Sequence, residues 1–168
     1  KNVVNTMMTS IFIIGIGIVM WVLFGYSLSF APSGNAFIGD FRWLGLEGVS
    51  LTEGYTDDAS IPNMVFSAFQ MMFAVITPAL ITGAVAGRMK FKSIFVFTIF
   101  WSLIVYYPLA HMVWGQGGLL GADGIGALDF AGGDVVHISS GVSALVLCIL
   151  LGKRHDYEHS IYRIHNIP

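Results

Sequence analysis

Four long apolar stretches constrain the fold of this 168-residue chain more than any other feature. They cover about residues 7–30, 63–87, 93–114 and 129–152, and crossing a bilayer core takes about 20 apolar residues. Hydrocarbon offers a backbone no hydrogen-bond partners, so each stretch is predicted to be a helix. Only 11% of the residues are charged, against roughly 25% in soluble domains. We therefore expect an all-α integral membrane protein with four spans.

The charges between the spans predict the orientation of the chain. Cations without acids stand before the first span, in the short turn after the second and directly after the fourth. They are Lys1, the run 88–92 (RMKFK) and the run 153–155 (KRH). Segment 31–62 instead carries five acids against one arginine, and segment 115–128 carries a single acid. The positive-inside rule puts the three cationic places in the cytoplasm and both acidic segments outside, as in a multi-pass protein of the cell membrane.

The long outer segment 31–62 allows two interpretations. Its glycines and Pro32 indicate turns, and three aromatic residues, Phe37, Phe41 and Trp43, are suited to a membrane surface. An ordered external cap and a plain connector are equally consistent with this pattern.

Several classes of function have no support in the composition. A net charge of −2 gives no reason to expect a nucleic-acid partner. The single cysteine, Cys148, lies in an apolar run and offers neither a disulfide framework nor a cysteine metal site. No nucleophile–base pair, metal cluster or nucleotide-binding motif is visible, so we expect no enzyme, no metal and no cofactor.

Aromatic residues mark the second and third spans. Phe69 and Phe73 are four residues apart and therefore lie on one helix face. Packing against a neighbouring helix explains an isolated pair of this kind well. Trp114 ends the third span, where an interfacial tryptophan is ordinary, but an indole face is also the best side-chain surface for a cation. His111, one turn deeper than Trp114, is interpreted as a structural histidine.

The fourth span carries the ionisable residues that need the most explanation. Asp129 at its outer end suits a helix cap. His137 follows eight positions later and should lie well inside the bilayer, where an uncompensated polar group is costly. Asp134 is three residues from His137, so the two side chains can share a helix face. A His–Asp pair that joins helices explains this spacing, but a polar element lining a pathway explains it better.

The run DFAGGDVVHISSG (129–141) resembles the signature of the ammonium transporter (Amt/Mep) family. Further similar runs follow the same order: AFQMMFA (68–74), AHMVWGQGGLL (110–120), GKR (152–154) and HNIP (165–168). The resemblance covers nearly the whole chain. It implies an eleven-helix channel with two inverted halves, assembled as a homotrimer, in which this chain corresponds to spans two to five.

The resemblance also implies roles for single residues. Trp114 and Phe69 correspond to the walls of an outer site that recruits ammonium, and Phe73 to one of two rings that gate the pore. Asp129 corresponds to a carboxylate that supports this site, and His137 to the first of two histidines lining the pore. Ammonium is then deprotonated, and ammonia crosses a hydrophobic section while the proton travels separately. A regulator of the PII type is a further partner that the resemblance implies.

The sequence departs from the family pattern in two respects, and three other functions compete with ammonium transport. Asp134 stands where a threonine or another small residue is expected, and the second histidine and second gating ring belong to spans that this chain lacks. An ammonium sensor with the same fold is the main alternative. A Rhesus-type gas channel is disfavoured by the DFAGG run and Trp114. A purely structural membrane protein explains neither His137 nor Asp134.

Overall fold

The structure of the chain, a computed structural model, describes residues 2–32, 34–122, 124–154 and 157, with side chains from residue 4 onward. Four features singled out in the sequence lie outside these residues: Lys1, Asp123, His155 and the HNIP run (165–168). Four helices are long and apolar enough to cross a membrane, and the described residues contain no strand. The predicted all-α membrane fold is confirmed. The four spans are Val4–Phe30, Asn63–Val85, Phe91–Trp114 and Gly133–Leu151.

Wider π-helical turns occur in three of the four spans, within the first and third and at the start of the fourth. The uninterrupted second span keeps Pro78 inside its helix. The helical segment that holds the first span consists of Asn2–Met20, the π-turn Trp21–Gly25 and Tyr26–Phe30. The third consists of Phe91–Trp101, the π-turn Ser102–Tyr106 and Tyr107–Trp114, and the fourth of the π-turn Gly133–Ile138 and Ser139–Leu151. Each π-turn adds a residue to one turn and so changes which side chains share a face beyond it.

The fourth span begins four residues later than the apolar pattern suggested. Residues 129–132 form a bend, and Gly132 has a φ of 88° with a left-handed conformation. A side chain at Gly132 would also approach the Val136 side chain to 2.6 Å, so both φ and space require glycine. His137 is consequently the fifth residue of the helix, closer to its outer end than the sequence indicated.

The second span lies at the centre of the packing. It contacts the first and fourth spans along their lengths, and the outer part of the first span contacts the third. The densest packing is in the outer half of the molecule, where Trp21, Tyr26, Phe30, Tyr106 and Tyr107 are almost fully buried. A side chain at Gly25 would meet the Tyr107 ring at 2.8 Å, so glycine lets the first and third spans approach each other there.

The outer segment is an ordered cap and not a plain connector. The Ser27 hydroxyl donates to the Asp40 carbonyl at 2.7 Å and accepts the Trp43 amide at 3.0 Å, which fixes the cap on the first span. The Trp43 ring stacks on Tyr26 at a centroid distance of 5.4 Å. Among the described residues of the cap, regular structure consists of the 3₁₀ turn Leu44–Leu46 and a bridge between Gly54 and Pro62.

Candidate functional site

A continuous chain of aromatic rings connects the second and third spans near their outer ends. The Phe73 ring lies 5.7 Å from the Trp114 ring and 5.2 Å from the Phe69 ring, both at edge-to-face angles. Phe69 is 54% exposed, so the described residues leave about half of this side chain uncovered. The three aromatic residues that the sequence selected are therefore neighbours, with Phe73 between the other two.

Trp114 is fixed in position from the fourth-span side. Its indole N–H donates to the Asp129 carbonyl at 2.8 Å. On this side a cavity of about 320 Å³ opens between the external cap and the segment leading to the fourth span. Its lining includes Tyr55, Gln116 and Phe130, and Phe130 is 95% exposed. The indole thus borders both an open cavity and the aromatic chain.

The Asp129 carboxylate caps the fourth span with unusual completeness. One oxygen accepts the amides of Gly132 and Gly133 at 2.7 and 2.8 Å, and the other accepts the amides of Asp134 and Val135 at 2.8 and 3.1 Å. These are the amides that a helix start leaves without partners. Partial burial raises the pKa of the Asp129 carboxyl, but the four backbone donors outweigh it and hold the pKa below its usual value. The carboxylate therefore stays charged at neutral pH.

His137 lies on the face of the fourth span that turns away from the rest of the described fold. Val135, Val136, Ser139 and Ser140 are buried, whereas His137 and its neighbours on the other face are exposed. The His137 ring makes no hydrogen bond within the part of the chain that the structure describes. The fold brings Trp114, Phe73, Phe69 and Asp129 together but leaves His137 outside this cluster.

Asp134 is bonded to the Asp129 cap at the start of the helix, and its relation to the face that carries His137 is weaker. Its amide donates to Asp129, and its side chain is half-buried. The His137 amide donates to the Gly132 carbonyl at 2.9 Å, a bond of the π type. Because a π-turn has more residues per turn than an α-turn, positions three apart diverge further around the axis. The shared face expected for Asp134 and His137 is correspondingly weakened.

His111 is enclosed between the third span, the end of the first span and the cap. The ring is 1% exposed, with Nδ1 3.1 Å from the Ser29 carbonyl and Nε2 2.8 Å from the Asn35 carbonyl. The ring thus connects the third span to the end of the first span and to the cap. A side chain at Gly115 would approach Nδ1 to 2.6 Å, so the glycine after Trp114 leaves room for this ring.

Tyr55 and Gln116 were not anticipated from the sequence. The Tyr55 hydroxyl donates to the Phe30 carbonyl at 3.0 Å and accepts the Gln116 amide at 3.1 Å, while the Gln116 side chain donates to the Tyr55 carbonyl at 3.0 Å. These bonds fasten the cap over the end of the third span. The two residues are 61 positions apart, and no local sequence pattern predicts their contact.

Comparisons with known proteins agree on one family. The sequence model of the Ammonium Transporter Family matches residues 1–168. An ammonium transporter of Bacillus subtilis is 54% identical over 156 residues, and one of Mycobacterium bovis is 40% identical over 188 aligned positions. Crystal structures of Mep2 from Saccharomyces cerevisiae and Candida albicans superpose with TM-scores of 0.76 and 0.75, at 35% and 37% identity.

These matches cover most of the chain but a smaller part of each relative. The chain aligns over 93% of its own length with 37% of the Bacillus subtilis protein, and over its full length with 39% of the Mycobacterium bovis protein. It covers 33% of the Saccharomyces cerevisiae Mep2 chain and 31% of the Candida albicans one, with 88% and 87% of its own residues. The chain therefore spans between about a third and two fifths of the length of these relatives.

Proposed function

Because the chain belongs to the ammonium transporter family and is part of a multi-pass membrane protein, we propose that the full-length protein carries ammonium or ammonia across the membrane. In this proposal, the described residues supply the outer recruitment site and one wall of the pathway below it. The observation that carries the proposal is the chain of ring contacts from Trp114 through Phe73 to Phe69, next to a carboxylate that remains charged.

Recruitment of the cation rests on aromatic faces and not on an ion pair. An ammonium ion that loses water recovers free energy over an indole or phenyl face, about 0.5–2 kcal/mol per ring depending on desolvation. Asp129 contributes negative potential nearby, but its oxygens already accept four amides. We propose that Trp114 and Phe69 contact the cation, while Asp129 positions the indole through its carbonyl and the helix start through its carboxylate.

Passage below the aromatic site requires the charge to be removed. A full charge at the centre of a bilayer costs several kcal/mol, whereas neutral ammonia does not carry this penalty. We propose that Phe73 acts as the gating ring, since it contacts both other rings and follows Phe69 by one helical turn along the second span. His137 would then line the pathway, because its ring is exposed and keeps both nitrogens available for hydrogen bonds with ammonia or a proton.

The experiment that tests this proposal is an ammonium-evoked current measured on liposomes containing the full-length protein. Wild type should give a current, and both Trp114→Leu and His137→Asp should reduce or abolish it. Trp101→Leu is the matched control for Trp114, because Trp101 lies in the same span and its indole bonds to Ser143 at 2.8 Å, away from the ring chain. A wild-type protein that binds ammonium without current or uptake would refute transport and favour the ammonium sensor.

Phe69 has its own matched control. Phe69 and Phe100 are 54% and 57% exposed, on the second and third spans respectively. Phe69→Leu should raise the ammonium concentration that gives half-maximal current several-fold, because one cation–π face is lost. Phe100→Leu should leave it unchanged. Equal effects of the two substitutions would remove Phe69 from the proposed recruitment site.

The eleven-span architecture, the homotrimer and a PII-type regulator are predictions from the family. They concern parts of the protein beyond the described residues. Size-exclusion chromatography with light scattering on the full-length protein tests the trimer directly.

A further inference from the structure

The second span carries a proline close to the proposed gating ring. Pro78 lies inside the helix Asn63–Val85 and follows Phe73 by little more than one turn. A proline has no backbone N–H, so the Ala74 carbonyl lacks the amide that it would accept from four residues later in an α-helix. The turn that follows the gating residue is therefore held by fewer backbone hydrogen bonds than the other turns of this span.

A threonine side chain reinforces the same turn. The Thr77 hydroxyl donates to the Phe73 carbonyl, and Thr77 is fully buried. In a regular helix this carbonyl also accepts the Thr77 amide, so a carbonyl with two donors precedes one without an amide donor. A hydroxyl bonded back to the preceding turn and a proline are both causes of helix bending. Thr77 and Pro78 together therefore control the local direction of the span at Phe73.

The Phe73 ring depends on this direction. It contacts the Trp114 ring at 5.7 Å and the Phe69 ring at 5.2 Å, both edge to face. Such pairs are favourable only over a limited range of distances and angles between the rings. Trp114 lies on another span, so a change in the bend at Phe73 alters the distance between the gating ring and the indole.

We infer that Thr77 is a positioning residue for the Phe73 ring: its hydroxyl holds the turn that Pro78 weakens and so fixes the ring against Trp114. Thr77 does not contact the passing molecule, because its side chain is buried and bonded to the backbone. This inference rests on the proposed role of Phe73 in gating. It predicts that Thr77 affects which molecules pass the gate, not how ammonium is recruited.

The general habit of buried threonines is one other explanation of this bond. A threonine inside a helix commonly bonds to its own backbone. Thr82 does so in the same span, where its hydroxyl donates to the Ala79 carbonyl at 2.6 Å and the residue is 9% exposed. Thr82 lies about two and a half turns beyond Phe73. It is the matched control, since its substitution removes the same hydroxyl from the same helix.

A contact with the third span is the other explanation. The Tyr106 hydroxyl lies beside Thr77, and it is buried without a hydrogen-bond partner among the described residues. If the Thr77 hydroxyl served this contact, Tyr106→Phe would reproduce the effect of losing it. If the hydroxyl serves the turn, Tyr106→Phe leaves the Phe73 ring in place.

The experiment measures currents evoked by methylammonium and by ammonium on liposomes containing the full-length protein, and takes their ratio as the size discrimination of the gate. Thr77→Val keeps the side-chain shape but removes the hydroxyl. It should raise the ratio about three- to tenfold, equivalent to about 0.7–1.4 kcal/mol, the range of one hydrogen bond. Thr77→Ser keeps the hydroxyl and should stay near the wild-type ratio. Thr82→Val and Tyr106→Phe should each change it less than about twofold.

A substitution at Pro78 tests the link between the proline and the hydroxyl. Pro78→Ala gives the Ala74 carbonyl an amide donor again. In this background Thr77→Val should change the ratio less than about twofold, because the turn no longer depends on the hydroxyl. Alanine is also a far better helix former than proline, so this pair of variants keeps the inference testable if Thr77→Val alone does not fold. A large change in the Pro78→Ala background overturns the inference.

The position of the ring supplies a readout that does not depend on transport. In crystal structures of the full-length protein, the Phe73–Trp114 ring distance, 5.7 Å in this structure, should change by about 1 Å in Thr77→Val and not in Thr82→Val. An unmoved ring, or equal changes of the current ratio in Thr77→Val and either control, overturns the inference. A ring that moves at an unchanged current ratio confirms the positioning role of Thr77 and instead refutes gating by Phe73.

Discussion

The outer start of the fourth span and the open face of the same helix differ in how far the described residues satisfy their polar groups. At the start, Asp129 accepts four backbone amides and Trp114 donates to the Asp129 carbonyl. On the open face, His137 is exposed and its ring makes no hydrogen bond within the described part of the chain. The polar groups of the first region find their hydrogen-bond partners within the described fold, whereas the His137 ring in the second region does not.

This difference separates residues that build the site from residues that use it. A polar group whose hydrogen-bonding capacity is filled by its own fold contributes to stability and has no hydrogen bond left for a passing molecule. The ring face of Trp114 is a separate surface, and the filled indole N–H does not occupy it. A polar ring kept free on an exposed face contributes little to this fold and retains its capacity for a substrate or a proton. Substitutions in the two regions should accordingly affect different measurements.

The largest effect is expected from Asp129→Ala. The substitution leaves the four amides of residues 132–135 without their acceptor at the start of a span. A lost helix cap costs about 0.5–2 kcal/mol, and three of the four amides are partly buried, so we expect a loss near the upper end, about 2 kcal/mol. Thermal unfolding of the full-length protein in detergent measures the loss. Asp58→Ala, an exposed acid of the cap, should change stability by less than about 0.5 kcal/mol.

The pH dependence of the same cap has a defined sign. The folded pKa of Asp129 is lowered, so its contribution is present above the ordinary carboxyl pKa and is lost as pH falls through the lowered folded value. Asp129→Asn should therefore flatten the acid limb of the stability curve. An acid limb that is the same in wild type and variant would show that the cap does not depend on the charge.

The second effect tests the structural assignment of His111. His111→Phe keeps an aromatic ring, though a larger one, but removes the donor between the carbonyls of Ser29 and Asn35. We expect a loss of about 1–3 kcal/mol, because a buried acceptor stays unpaired. His111→Gln should recover part of it, since the amide still donates to one carbonyl. If the His111→Phe protein were fully stable but gave no current, His111 would act in transport and would not be a structural residue.

The third effect should appear in transport and not in stability. His137→Leu removes an exposed ring that makes no hydrogen bond within the described fold, so we expect stability to change by no more than a surface substitution does, about 0.5 kcal/mol. The ammonium-evoked current should fall at least about tenfold, equivalent to about 1.4 kcal/mol in the barrier. The exposed neighbour Ile138 supplies the control Ile138→Ala. If His137→Leu strongly destabilised the protein but left the current per folded protein normal, His137 would contribute to stability as Asp129 does, and the proposed difference between the two residues would be wrong.

Hydropathy was sufficient to predict the four spans, because the thickness of hydrocarbon dictates the length of an apolar helix. It did not predict where the fourth span begins. The apolar stretch predicted from the sequence includes residues 129–132. The helix starts after them, because Gly132 is left-handed and the Asp129 side chain turns back to cap the helix. Such a start is set by hydrogen bonds and not by hydrophobicity.

Spacing within one helix likewise predicted the pairing of Phe69 with Phe73, because both lie in a regular helix. The same reasoning was weaker for Asp134 and His137, since a π-turn changes the angle between positions three apart. Contacts between distant segments, such as Tyr55 with Gln116, depend on tertiary packing that no local period contains.

The smallest effect concerns Asp134, which lies between the two regions. If its carboxylate serves the helix start, its charge in the first turn is favourable against the helix dipole, and Asp134→Thr should cost about 0.3–1 kcal/mol of stability. The current should then change less than about twofold. Both quantities come from the same preparations, by thermal unfolding and by ammonium-evoked current. A current altered several-fold at unchanged stability would instead assign Asp134 to the pathway beside His137, because only a carboxylate that faces the moving cation or proton changes transport without changing the fold.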